Sequence, residues 1–290
     1  MLWIPITVGA AALQVARNAL QRGLLAPAGP WGATLVRFLF GLPFSAMFVA
    51  IALWLNPGAR PMFSAGFWLA CVVGGAAQIG GTAALLVSMR RSSFALGTVF
   101  QQSGIPLAAV IGLAFGDHLS LARWAGLGVV ATALAVLGWP RGRSGGWSAA
   151  PLGLAAGGGF ALASNAYRQG ALTLDGHHPF LAAQITLVVV QALQSAALVA
   201  WLVASDRPAL ITSVKSWRTS LGAGFFGAAA SGLWFTAFAL APAGPVRAVA
   251  VVEAPIAAVA GRRLFAERLD TWQWLAGLTV AIGVGLAALG

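Results

Sequence analysis

A chain of 290 residues that is 59% hydrophobic and only 8% charged, with a mean hydropathy of +0.86, does not fit a water-soluble domain, where charged residues make up about 25%. The net charge of +11 would suggest nucleic acid in a soluble protein, but here the cations fall mostly in short joints between apolar runs and carry topology instead. Cys71 is the lone cysteine, so an intrachain disulfide is excluded.

A bilayer core takes about 20 apolar residues per helix. On that length the chain predicts ten membrane helices, at 2–20, 33–55, 65–87, 94–115, 121–139, 152–168, 179–203, 219–240, 246–264 and 271–289. The first is read as a resident helix and not a cleaved signal peptide, because Gln14, Arg17 and Asn18 interrupt it without a small-residue cleavage site. The joints carry breakers: APAGP at 26–30, NPGARP at 56–61, PRGRSGG at 140–146, SDRP at 205–208 and APAG at 241–244. Glycine clusters at 74–75, 80–81 and 157–159 fall inside apolar helices, where they serve close packing and not phosphate binding.

Two passages are written twice. FGDHLSLARWAGLG at 115–128 returns as FAERLDTWQWLAGL at 265–278, and RNALQRG at 17–23 returns as SNAYRQG at 164–170, offsets of 150 and 147. The chain therefore reads as two repeats, 1–143 and 144–290, of five helices each. An odd number of crossings sends the second repeat in from the opposite side. The expected fold class is an all-α membrane protein of ten transmembrane helices in two inverted five-helix repeats, with a solute site between them.

With these helices, the face holding both termini receives Arg60, Arg123, Arg168 and Arg247. The opposite face receives most other cations, among them Arg17, Arg22, Arg90, Arg91, Lys215 and Arg218. The positive-inside rule then places both termini in the periplasm. Arg37, one turn inside the second helix, is expected to snorkel to the cationic face.

Over nearly its full length the chain resembles the ten-helix drug/metabolite transporter superfamily, EamA type. The features that carry the resemblance are the joints Asp117-His118-Leu119 and Glu267-Arg268-Leu269, the Arg37-Phe38-Leu39 opening, and Pro106 and Pro255 inside the fourth and ninth helices. Its layout looks like that of the YddG-like amino-acid exporters. The resemblance implies a multi-pass protein of the bacterial inner membrane that exports small metabolites, amino acids foremost, by alternating access. Many relatives are drawn with cytoplasmic termini, against the cation count here.

Polar residues at membrane depth mark a wet cavity or a packed bundle interior. The candidate solute-binding residues are Gln78, Gln101, Gln102, Ser164, Asn165, Trp234 and Glu253. Gln101 and Gln102 point about 100° apart on a helix, so one of them is expected to face the cavity. Asn18 and Asn165 are repeat equivalents, which also suits capping; Tyr167 suits an interfacial anchor equally well, and for a tryptophan such as Trp234 the lipid interface is a commoner setting than a cavity wall. Glu253 is the sole carboxylate inside any predicted helix, a candidate proton carrier or ammonium partner, with a helix-locking bond as the structural alternative. Neutral amides and hydroxyls fit zwitterions or neutral polar solutes better than anions, for which more buried Arg or Lys would be needed.

No enzyme signature is found. His118, His177 and His178 fall in joints without metal-ligand spacing, so no metal, cofactor or catalytic residue is expected. Partners are a small-molecule solute and the lipid bilayer, with no nucleic acid and a monomeric state. Exporters of drugs, sugars or nucleosides, and a structural or lipid-handling membrane protein, remain the alternatives.

Overall fold

The computed structural model describes residues 2–92, 97, 100–116, 118, 120–138 and 150–253, and positions 256, 257, 259, 260, 275, 278, 279, 282 and 283. The joint at 140–146, the repeat boundary at 143/144, Pro255, the second acid–basic–Leu joint and nearly all of the 271–289 segment lie outside the described residues, as do Asp117 and Leu119.

Every described regular element is helical. In chain order they are α1 (Trp3–Gly23), α2 (Leu25–Leu39), α3 (Leu42–Leu55), α4 (Ala65–Arg91), α5 (Gly104–Leu113), α6 (Leu121–Gly138), α7 (Ala150–Leu174), α8 (Pro179–Ser205), α9 (Arg207–Lys215), α10 (Trp217–Leu240) and α11 (Ala243–Val249), followed by a 3-10 turn at Ala250–Val252. Four stretches are long and apolar enough to cross a membrane: Ala28–Leu55, Ala65–Arg91, Pro179–Ser205 and Ser220–Leu240. The chain is thus an all-α protein with several helices suited to spanning a bilayer.

Starts and stops follow local chemistry. Ser64 caps α4, its hydroxyl accepting from Phe67 N at 3.2 Å, and Asp206 caps α9 by accepting from Ala209 N at 3.0 Å. Proline opens α3, α8 and α9 within their first two positions, where a missing N–H costs nothing. The surface helix α9 was not expected from the sequence, which has a plain joint there.

Three predicted boundaries move. The 26–30 joint is a kink with helix on both sides, because Gly29 takes φ +65° and Pro30 starts the next turn. The segment expected at 94–115 breaks at Gln102–Ser103 before α5. Pro106, which has no N–H to give the preceding turn, sits in the first turn of the new helix. The segment expected from Val246 instead begins at Ala243 and tightens into the 3-10 turn just before Glu253.

Helix α4 packs along α7, and α1 along α10; α5 rests on α7, α11 on α5, and α2 and α3 on α8. The α4–α7 contact is made by glycine. A Cβ on Gly159 would stand 2.7 Å from Ala77 O and 3.0 Å from Gly81 Cα; at the α5–α7 contact, likewise, one on Gly104 would stand 2.7 Å from Gly157 O. Gly80, in contrast, faces open space, so only part of the glycine pattern is a packing surface.

Candidate functional site

Between these helices lies a small cavity whose polar lining comes from α1 (Gln14), α2 (Arg37), α4 (Gln78), α7 (Ser164, Tyr167), α10 (Ser231, Trp234) and α11 (Arg247). Phe160, Phe235 and Phe238 complete its walls. The space open to water centres is about 20 Å³, room for roughly one or two waters. The cavity is narrow in this conformation, and any larger solute requires the bundle to open.

Arg37 is 1% exposed. Its Nη1 donates to Thr82 Oγ1 at 3.0 Å and its Nη2 to Ser231 Oγ at 3.3 Å, while Nε has no partner. The expectation that it snorkels to a membrane face is overturned. The apolar stretch starts at Ala28 and not at 33, so Arg37 lies about 13 Å in, at 1.5 Å per residue, and its side chain turns to the interior.

Arg247 is the second cation of the cavity. Its Nε donates to Ser164 Oγ at 2.9 Å and its Nη2 to Phe160 O at 3.0 Å. The guanidinium also lies 5.2 Å from the Trp234 ring centroid, 5.6 Å from Phe160 and 5.8 Å from Phe238, an aromatic cage of cation–π contacts. The sequence places Arg247 at the very start of the ninth helix, on the face that holds the termini. The early start of α11 draws it inside.

Gln78 is 8% exposed and central. Its Oε1 accepts from Gln194 Nε2 at 2.9 Å and lies 2.9 Å from the Tyr167 hydroxyl, which is also 2.8 Å from Gly74 O. Tyr167 stacks on Phe235 at 4.1 Å between centroids. Both Tyr167 and Trp234 are buried, so neither is an interfacial anchor. The Trp234 indole N–H has no partner.

Glu253, 1% exposed, sits behind Gln14. Its Oε2 accepts from Gln14 Nε2 at 2.8 Å and its Oε1 from Asn18 Nδ2 at 3.5 Å. Asn18 Oδ1 in turn accepts from Arg17 Nε at 3.1 Å and Nη2 at 2.6 Å, which makes a buried relay from guanidinium through amide to carboxylate. Arg17 is wholly buried and does not belong to the cationic surface to which it was assigned. Gln102 lies beside the carboxylate, yet its Nε2 forms no hydrogen bond.

The seven candidates therefore divide. Gln78, Ser164 and Trp234 line the cavity directly. Glu253 is one hydrogen bond removed, through Gln14. Gln101 and Gln102 are both buried at the turn before α5, and neither lines this cavity. Asn165 donates to Ala108 O and Ala161 O, each at 3.0 Å, tying α7 to α5. The residues the sequence reading passed over are Arg37 and Arg247. The signal was an arginine beside an apolar run, masked by helix ends placed a turn too late. Among the described residues no cluster of His, Cys, Asp or Glu could hold a metal ion.

No known family profile matches the chain, and no curated protein matches it either. A solved structure known only as the crystal structure of a protein is similar in fold, with TM-score 0.60 and 18% identity over 98% of this chain and 96% of its own. At that identity the likeness concerns the fold alone.

Proposed function

We propose that this protein is a secondary transporter that exports small polar metabolites, amino acids foremost, across the bacterial inner membrane. The route is the central cavity, opened alternately to either side by two inverted five-helix repeats of the drug/metabolite transporter kind. The observation that carries the reading is a narrow polar cavity, built around Arg37, Gln78 and Arg247, inside a bundle of largely apolar helices. Buried charge in such a bundle is costly and marks a solute or ion path.

The packing supports two repeats. At the offsets of 147 and 150, α1 corresponds to α7 and α4 to α10. The two extensive contacts, α1 with α10 and α7 with α4, are then one contact seen twice. The break at Gln102–Ser103 likewise corresponds to the 3-10 turn leading into Glu253. Interrupted helices at matching places in both halves are a common site architecture in transporters.

The test is flux. Purified protein in proteoliposomes should exchange labelled amino acids in counterflow assays, and Gln78→Ala should impair the exchange. Flux of sugars, nucleosides or drugs alone would reassign the substrate. Absence of flux for every solute class would favour a structural or lipid-handling role.

A further inference from the structure

We infer that the solute this cavity takes is a net-anionic organic acid, with its carboxylate held between Arg37 and Arg247 and an apolar or planar body against the rings of Trp234 and Tyr167. The inference rests on the transporter reading and, within it, puts acidic amino acids and other organic anions ahead of the neutral, zwitterionic ones.

The argument begins with charge balance. Arg37 and Arg247 both line the cavity, and their hydrogen bonds go only to hydroxyls and one carbonyl. Among the described residues neither has a carboxylate at ion-pair distance. Arg37, Arg247 and the buried Arg17 are set against a single buried carboxylate among the described residues, Glu253, and such an excess of guanidinium charge is unfavourable in an apolar bundle. An anion entering between Arg37 and Arg247 relieves that cost and gains charge-assisted, fork-shaped hydrogen bonds.

The donor count agrees. Among the described residues, Arg37 Nε and Trp234 Nε1 are buried without acceptors. Groups that need an acceptor, and not a donor, are what the cavity leaves open. The one buried acid among the described residues is not free to meet an ammonium, because both Glu253 oxygens accept from amides and both Arg17 and Arg247 act on it. A zwitterion would therefore bring its ammonium into a site that already has two cations and no available acid. The remaining wall is aromatic: Trp234 stacks with Phe238 at 5.6 Å, and Tyr167 with Phe235 at 4.1 Å. Such a wall suits the hydrocarbon part of the solute.

By the criterion of the sequence reading, anions would need more buried arginine than was visible. The folded chain provides it.

The test compares probes that share one body and differ in charge: N-acetylphenylalanine (anion), phenylalanine (zwitterion) and phenylalaninamide (cation), with the corresponding leucine series. Binding to the detergent-purified full chain is read by thermal stabilisation and calorimetry. The anion of at least one series should bind on the order of tenfold or more tighter than its zwitterion, with the cation weakest. The preference should vanish in Arg247→Gln and survive in part in Arg247→Lys. A zwitterion that equals or beats its anion in both series, or no anion binding in either, overturns the inference, and the wild-type comparison decides this even if a variant fails to fold. Counterflow separates the two levels: exchange of zwitterions with anions ignored sinks the charge class and leaves the transporter, whereas no exchange of any solute sinks both.

Discussion

The Gln14 amide nitrogen donates to Glu253 Oε2 at 2.8 Å, joining helices 239 positions apart in the chain. Together with Asn18 it occupies both carboxylate oxygens, and Arg17 completes the relay from behind. The geometry makes Glu253 the lock between α1 and the turn after α11.

Glu253→Gln keeps the size of the side chain but turns an amide donor toward donors and leaves Arg17 without its counter-charge. We predict a loss of about 3–5 kcal/mol, on the scale of breaking a buried pair, seen as a lower Tm in detergent. The double variant Arg17→Gln/Glu253→Gln should recover part of that loss. If the single variant is as stable as wild type, Glu253 is not a lock and a proton-carrying role gains ground. A pH-gradient assay on the variant would then examine that role.

Gly159→Ala should separate α4 from α7. The added methyl meets Ala77 O and the Gly81 backbone, neither of which can yield as a side-chain tip would. Overpacking of this kind costs about 1–3 kcal/mol. Gly80→Ala, which faces open space, is the matched control and should leave the melting temperature near wild type.

The joint between α7 and α8 gives a pH prediction. Burial pushes the Asp175 carboxyl up, but the hydrogen bonds from His178 and from the backbone N–H groups of His177 and His178 outweigh it and hold the carboxyl below the usual range. Oδ1 accepts from His177 N at 2.9 Å and His178 N at 3.1 Å, and Oδ2 meets His178 Nδ1 at 2.8 Å. A lowered folded-state value means stability that is present above the unfolded pKa of about 3.9 and is lost as pH falls through the folded value. Asp175→Asn should therefore lower the melting temperature at pH 7 and lower it less near pH 3. Equal effects at both would show that the carboxylate charge is irrelevant to this turn.

Orientation is tested by fusion. Moving Arg17 and Arg247 from the surfaces into the interior removes one cation from each face, so the excess opposite the termini persists and still favours periplasmic ends. A reporter active only in the cytoplasm, attached after Gly290, should stay dark. Strong activity would reverse the topology.

Much of the helical layout was legible because length and hydropathy are local properties. The runs at 65–87, 179–203 and 219–240 reappear within α4, α8 and α10. What the sequence hid was where helices bend. Gly29-Pro30, the turn before Pro106 and the 3-10 turn at Ala250–Val252 interrupt apolar runs that hydropathy reads as continuous. Those bends moved the arginines. A helix end misplaced by one turn turns Arg37 or Arg247 from a buried group into a surface one, and a sequence pattern does not report which way a guanidinium folds back. Gln78, by contrast, was visible as a lone amide in a glycine-rich apolar run, a property that survives small errors of boundary.

The central claim is that the narrow cavity opens to each side of the membrane in turn. Ala163 lines it and is 1% exposed, and the lone cysteine, Cys71, is buried and replaceable by alanine. Ala163→Cys in the Cys71→Ala background, in sealed vesicles of either orientation, should react with a membrane-impermeant thiol reagent added from either side. Labelling from neither side, or from one side under every condition, would contradict alternating access.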